Sequence, residues 1–113
     1  MKIGVDIGGS HIGIGLVNEN GEIIFKEEKY ITETTNIEEK IEDFIIEKVT
    51  QIPEYNAIEL IGIAVPGTVS ENKIIKAVNL GIENYEIAKN LEEKLHIKVK
   101  LRNDAKCSAL AEQ

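Results

Sequence analysis

Lys2-Ile3-Gly4-Val5-Asp6-Ile7-Gly8-Gly9-Ser10-His11-Ile12-Gly13-Ile14-Gly15-Leu16-Val17 opens the chain. Lys2 to Ile7 reads as an apolar strand with a carboxylate near its end, and a second apolar run from Ile12 to Val17 follows at once. The glycines between them therefore lie in the tight turn of a β-hairpin. Glycine lacks a Cβ, so the backbone there can turn sharply and present N–H groups to an anion. Asp6 on its own would repel a phosphate. With a divalent cation it becomes an anchor for the metal or for its water shell. The stretch reads as a phosphate and Mg²⁺ site, and the same residues would equally serve a plain hairpin whose glycines only make the turn.

Two commoner glycine-rich readings fail. A P-loop needs Gly-Lys-Ser/Thr at the start of a helix, and no lysine follows Gly8-Gly9. A dinucleotide fingerprint needs three spaced glycines between strand and helix, with the acid about 20 residues later. Here the acid comes first and a strand comes next.

Working outward, Asn20-Gly21 marks a turn into a third antiparallel strand over Glu22 to Ile31. Thr35-Asn36 begins a helix, and Thr35 and Glu38 have capping-box spacing. Ile37, Ile41, Phe44, Ile45, Val49 and Ile52 line its apolar face, which places Glu38, Glu39, Lys40 and Glu42 towards water, and Pro53 closes it. Ile58 to Val65 reads as a buried parallel strand ended by Pro66-Gly67. Ser70 to Lys76 is expected to be a short excursion and Asn79-Leu80-Gly81 a loop. A second helix is expected from Asn84 to Leu95, burying Ile87, Ala88, Leu91 and Leu95. Ile97 to Leu101 is a fifth strand, and a small-residue helix containing Cys107 is expected from Asp104. The order predicts an α/β, ribonuclease-H-like fold: a mixed five-stranded sheet, three antiparallel strands then parallel ones, flanked by helices. Sites in such sheets lie beyond the carboxyl ends of the strands, where Asp6, Gly67 and Asp104 all fall.

Bulk properties narrow the function. The 113 residues amount to one domain at most, and the net charge of −7 argues against a nucleic-acid surface or docking on anionic membranes. No apolar run is long enough to span a bilayer, and Met1-Lys2 runs straight into a core strand, which leaves no signal peptide. A single cysteine excludes an internal disulfide and fits a reducing cytoplasm.

Arg102-Asn103-Asp104-Ala105 repeats, at the other end of the chain, the pattern of an acid after an apolar strand. Asn103 or Asp104 suits an N-cap. A carboxylate at a helix N-terminus also stays ionised, and an ionised carboxylate on the active rim can take a proton from a hydroxyl attacking phosphorus. Asn103 can donate and accept, as a polyol requires.

Asp6-Ile7-Gly8-Gly9-Ser10, Val65-Pro66-Gly67, Asn79-Leu80-Gly81 and Asn103-Asp104-Ala105 with Ala109-Leu110-Ala111-Glu112 together resemble ROK-family proteins. That family includes repressors as well as glucokinases, fructokinases and N-acylhexosamine kinases. The chain is also similar to the N-terminal lobe of the actin-like, hexokinase and Hsp70 ATPase superfamily. The resemblance implies ATP phosphate binding at Asp6, Gly8, Gly9 and Ser10, with Mg²⁺ held through water near Asp6. It implies sugar contacts at Gly67, Thr68, Asn79 and Asn103, and a catalytic base at Asp104, which would also contact the sugar. Ser10 stands where the family usually has threonine, His11 where it often has lysine or asparagine, and Ile82 where a tryptophan is frequent.

The family's Glu-x-Gly-His sugar motif, its cysteine-rich zinc motif and its adenosine pocket are not found here. The resemblance thus implies that residues 1–113 are the N-terminal lobe of a two-lobe kinase, inactive by itself, with any zinc in the other lobe. It further implies a small-molecule sugar as partner and a homodimer at full length. The rival readings are a sugar-sensing regulator of the same family and a partner-coupled ATPase of the same superfamily. The helix-turn-helix that such repressors carry before this lobe is not expected ahead of Asp6.

Overall fold

The computed structural model describes residues 1–8, 11–31, 36–70 and 72–103, with the backbone alone at Asn79. β1 (Lys2–Ile7) and β2 (His11–Val17) form the opening hairpin. β3 (Ile23–Tyr30) extends it antiparallel through a turn in which the Asn18 side-chain oxygen accepts the N–H groups of Asn20 and Glu22. That Asx-type turn and Gly21, at φ 84°, reverse the chain. β4 (Leu60–Val65) then pairs parallel with β1, and β8 (Lys98–Asn103) pairs parallel with β4. The five-stranded sheet has the order β3-β2-β1-β4-β8, the mixed sheet expected from the sequence.

Strict alternation along β1 buries Ile3, Val5 and Ile7 and leaves Lys2, Gly4 and Asp6 on the opposite face. The apolar face is covered by α1 (Ile37–Thr50) and α2 (Ile87–Leu95). α1 buries Ile37, Ile41, Phe44, Ile45 and Val49, and α2 buries Ile87, Ala88, Leu91 and Leu95, as their spacing predicts. α1 starts after Asn36, an N-cap in left-handed conformation with no side-chain cap bond. Thr35, the expected cap, lies outside the described residues, as does the helix expected from Asp104 with Cys107. α1 stops at Thr50, whose hydroxyl donates back to the Ile46 carbonyl, before Pro53 is reached.

Two expectations are corrected. The first concerns the segments expected to be a short excursion and a helix start. They supply strands of a second, three-stranded antiparallel sheet, while Asn79-Leu80-Gly81 connects two of them as the loop expected. The strands of that sheet are β5 (Thr68–Val69), β6 (Ile74–Ala77) and β7 (Ile82–Tyr85), in the order β5-β6-β7. Asn84, expected to start a helix, lies in β7 at φ 49°, and the helix begins three residues later. Ile82 and Tyr85 are both buried, a spacing of three that mimics a helical face, but ladder bonds from β6 hold the segment extended.

The second correction concerns Glu42, which does not face water. It is 7% exposed, and its carboxylate accepts hydrogen bonds from the Tyr85 hydroxyl, from Asn90 Nδ2 at 3.0 Å and from Lys94 Nζ at 3.0 Å. The Tyr85 hydroxyl is also 3.0 Å from the Glu38 carbonyl. Burial alone would push the Glu42 carboxyl up, but the bonds from Tyr85, Asn90 and Lys94, with the Lys94 charge, hold it below its ordinary value. Burial and the Glu42 charge push the Tyr85 hydroxyl far up. This cluster ties α1, β7 and α2 together, so the small sheet is fastened to the helical layer.

Candidate functional site

The parallel strands β1, β4 and β8 run the same way, so their carboxyl ends share one rim. Asp6 is the penultimate residue of β1, Gly67 follows β4 by two residues, and Asn103 ends β8. Gly67 and Asn103 meet directly: Asn103 Nδ2 donates to the Gly67 carbonyl at 2.5 Å. A glycine is required at 67 on two counts. Its φ of 139° is a conformation that residues with a Cβ rarely adopt, and a Cβ would collide with the Lys76 carbonyl and sit 3.1 Å from Ala77 Cα. Close approach of β6 to the turn thus sets the sharp exit from β4, and that turn sends Gly67 and Thr68 towards β8.

Gly67, Thr68, Ser70, Arg102 and Asn103 line a cleft of about 470 Å³ between β5 and the end of β8. Its donors and acceptors are side-chain hydroxyls, an amide, the Arg102 guanidinium and backbone groups, and the hydroxyls and amide suit a polyol. Asn79 lies in a 3₁₀ turn over Val78–Leu80 that ends on Gly81 at φ 68°. Its side chain is outside the described atoms, so the sugar contact expected of it is placed by backbone only.

Around Asp6 the second cleft lies on the sheet face opposite α1 and α2, where Asp6, His11, Gly13, Ala64 and Arg102 are among its walls. Asp6 is exposed and pairs with two small residues, Gly13 on one side and Ala64 on the other. The Gly8 N–H donates to the His11 carbonyl at 2.7 Å, closing the hairpin. The His11 ring occupies the place of the Cβ that Gly8 lacks, 2.8 Å from where that atom would stand. Gly8 therefore contributes the tight turn, while its own N–H is engaged within it. Gly9 and Ser10, expected to complete the phosphate contacts, and Asp104, the expected base, lie outside the described residues.

Among the described residues no group of three or more His, Cys, Asp or Glu gathers into a metal cage. One exposed carboxylate on the rim, Asp6, fits Mg²⁺ that keeps several waters and takes further ligands from substrate phosphates. No described helix is long and apolar enough to cross a membrane. Reading the sequence alone missed two features. Arg102 lines both clefts, and its motif was visible although its exposure to both sites was not. Glu42 is buried by partners 43 to 52 residues away, for which no local signal existed.

A mixed five-stranded sheet with two helices on one face and turns gathered at the carboxyl rim of its parallel strands makes the chain an α/β protein. The chain belongs to the ROK family, whose model matches residues 2–113. It is 31% identical to the N-acetyl-D-glucosamine kinase of Haemophilus influenzae over 99% of this chain and 37% of that protein. It is 32% identical to the glucokinase of Thermotoga maritima, covering 98% of this chain and 36% of that protein. A xylose repressor of Caldicellulosiruptor bescii is 31% identical over 98% of this chain and 29% of its own length. Among solved structures, the Streptomyces griseus ROK glucokinase in complex with glucose and AMPPNP superposes with a TM-score of 0.80. It is 31% identical, and the match covers 96% of this chain and 34% of that one. The chain spans little more than a third of the curated kinases it matches.

Proposed function

We propose that residues 1–113 are the N-terminal lobe of an ATP-dependent kinase that phosphorylates a hexose or hexosamine hydroxyl. The observation that carries this reading is the shared rim on which Asp6 and the hydrogen-bonded pair Gly67–Asn103 stand. It separates a carboxylate-bearing cleft from a polyol-compatible one, and the kinase relatives and the glucokinase bound to glucose and AMPPNP support that division.

On this reading the sugar lies against Gly67, Thr68, Asn79 and Asn103, with its acceptor hydroxyl beside Asp104. Asp104 takes the hydroxyl proton as the oxygen's electron pair forms a bond to the γ-phosphorus. The bond from that phosphorus to the β–γ bridging oxygen breaks, and ADP departs with the electron pair. Gly8, Gly9 and Ser10 shape the turn against the phosphates, and Asp6 is the residue that would hold Mg²⁺. When bound, Mg²⁺ supplies charge neutralisation to the phosphate oxygens. The adenosine pocket and any zinc belong to the remainder of the whole protein, which we place in the cytoplasm as a homodimer.

The test is ADP release by the whole protein with Mg-ATP across a panel of hexoses and N-acylhexosamines. Asp104→Asn should lower kcat by about 10²–10⁴ with a modest change in KM. A near-normal kcat in that variant would remove Asp104 from the chemistry. The second reading, a sugar-responsive regulator, is favoured by the xylose repressor relatives. Sugar binding by a folded whole protein without turnover on any sugar would select it.

A further inference from the structure

We propose that Arg102 is a catalytic residue of this lobe that contacts the transferred phosphoryl group, an inference that rests on the kinase reading. Asp6, Ala64 and Arg102 are in register on three adjacent strands, Asp6 opposite Ala64 and Ala64 opposite Arg102. Residues paired in this way project from the same face of a sheet, and two strand spacings put the Asp6 and Arg102 backbones about 10 Å apart. Ala64 is the residue paired between them in the sheet. Both side chains therefore border the same space from opposite sides, one anionic and one cationic.

Arg102 also lies on the boundary of the two clefts, lining the Asp6 cleft and the Gly67–Asn103 cleft alike. A phosphoryl group passing from the first cleft to a hydroxyl in the second must cross that boundary. Arg102 is exposed and makes no hydrogen bond or ion pair with any described residue, so its five donors are uncommitted. Its planar fork matches phosphate oxygens in geometry and charge. Lys98 and Lys100 lie on the same face of β8, so the edge beside the cleft is basic in a chain whose net charge is −7. Asp6 and Glu28, at the other end of the same row, are the acids that face it.

A structural alternative exists, because lysine and arginine on an edge strand also discourage strand-to-strand aggregation. Lys98 shares that role without touching the boundary, which makes it the control. The experiment measures initial rates of the whole protein with saturating sugar and varied Mg-ATP, alongside thermal midpoints. Arg102→Gln should lower kcat by about 10²–10³ with an unchanged melting temperature, the usual cost of losing one preorganised donor to developing charge. Arg102→Lys should restore part of that loss, and Lys98→Gln should leave kcat within twofold.

A kcat for Arg102→Gln within twofold of wild type would overturn the assignment while leaving the kinase reading intact. A loss confined to the sugar KM, or one equalled by Lys98→Gln, would overturn it too. A folded wild-type protein with no sugar-dependent turnover would overturn the kinase reading itself, and Arg102 with it.

Discussion

Gly67 does two jobs at the scale of a single residue. Its φ of 139° lets β4 turn sharply into β5, and its carbonyl then accepts the Asn103 amide. A side chain at 67 would strike the backbone of β6, which cannot swing aside as the end of a long side chain would. Gly67→Ala should therefore destabilise the chain by about 1–3 kcal/mol, read as a lower midpoint in urea or heat. An unchanged midpoint would mean that β6 moves away without cost. Gly13 and Ala64, the residues paired with Asp6, are small, and Asp6 itself is exposed.

At the scale of elements, the Glu42 cluster fastens the small sheet to the helices through Tyr85 of β7 and through Asn90 and Lys94 of α2. Because the folded carboxyl is held below its ordinary value, its contribution is fully present above the unfolded pKa of about 4.3. It is lost as pH falls through the lower folded value. Wild type should lose stability across that acid range more steeply than Glu42→Gln, measured as melting temperature against pH. Parallel curves would mean that the Glu42 carboxyl titrates alike in the folded and unfolded states. Tyr85→Phe should cost about 1–3 kcal/mol at neutral pH, since it leaves a buried carboxylate short of one donor.

The same elements show what was legible in the sequence and why the rest was not. β1, β2, β4 and both helical faces could be read because each runs long enough for its period to repeat. β5, β6 and β7 are two to four residues long, too short to display alternation, and they form only because they pair with one another. Glu42 sits on the flank of an apolar stripe, where helical spacing alone permits either water or a partner. Its neighbours come from far along the chain, so only the folded arrangement decides. The site was legible as motifs at strand ends. That Gly67 and Asn103 touch, and that Arg102 borders two clefts, depends on β5 folding back against β8.

Across the described residues the division is between a face packed by helices and the opposite face, which borders the two clefts. Neither cleft is closed by the described residues, and closure is what aligns a γ-phosphate and excludes water. The 113-residue polypeptide alone should therefore show no sugar-dependent ATP hydrolysis above background in a coupled ADP assay. Sugar-stimulated turnover by this polypeptide would show that one lobe suffices. β3 forms the far edge of the sheet, with Ile23 66% and Tyr30 74% exposed. The charged run Lys26 to Lys29 between them is the kind of sequence that keeps such an edge from pairing with a second copy.

The bond from Asn103 to Gly67 also makes the Asn103 amide a built-in spectroscopic probe. One of its two side-chain protons is held by a carbonyl, so the pair should give well-separated, slowly exchanging nitrogen-15 correlated signals. A sugar entering the cleft can keep that bond while contacting the amide elsewhere, or displace it. The first outcome shifts the two resonances while keeping them apart, and the second draws them together. Occupancy of the cleft could thus be followed on one side chain with no reaction taking place.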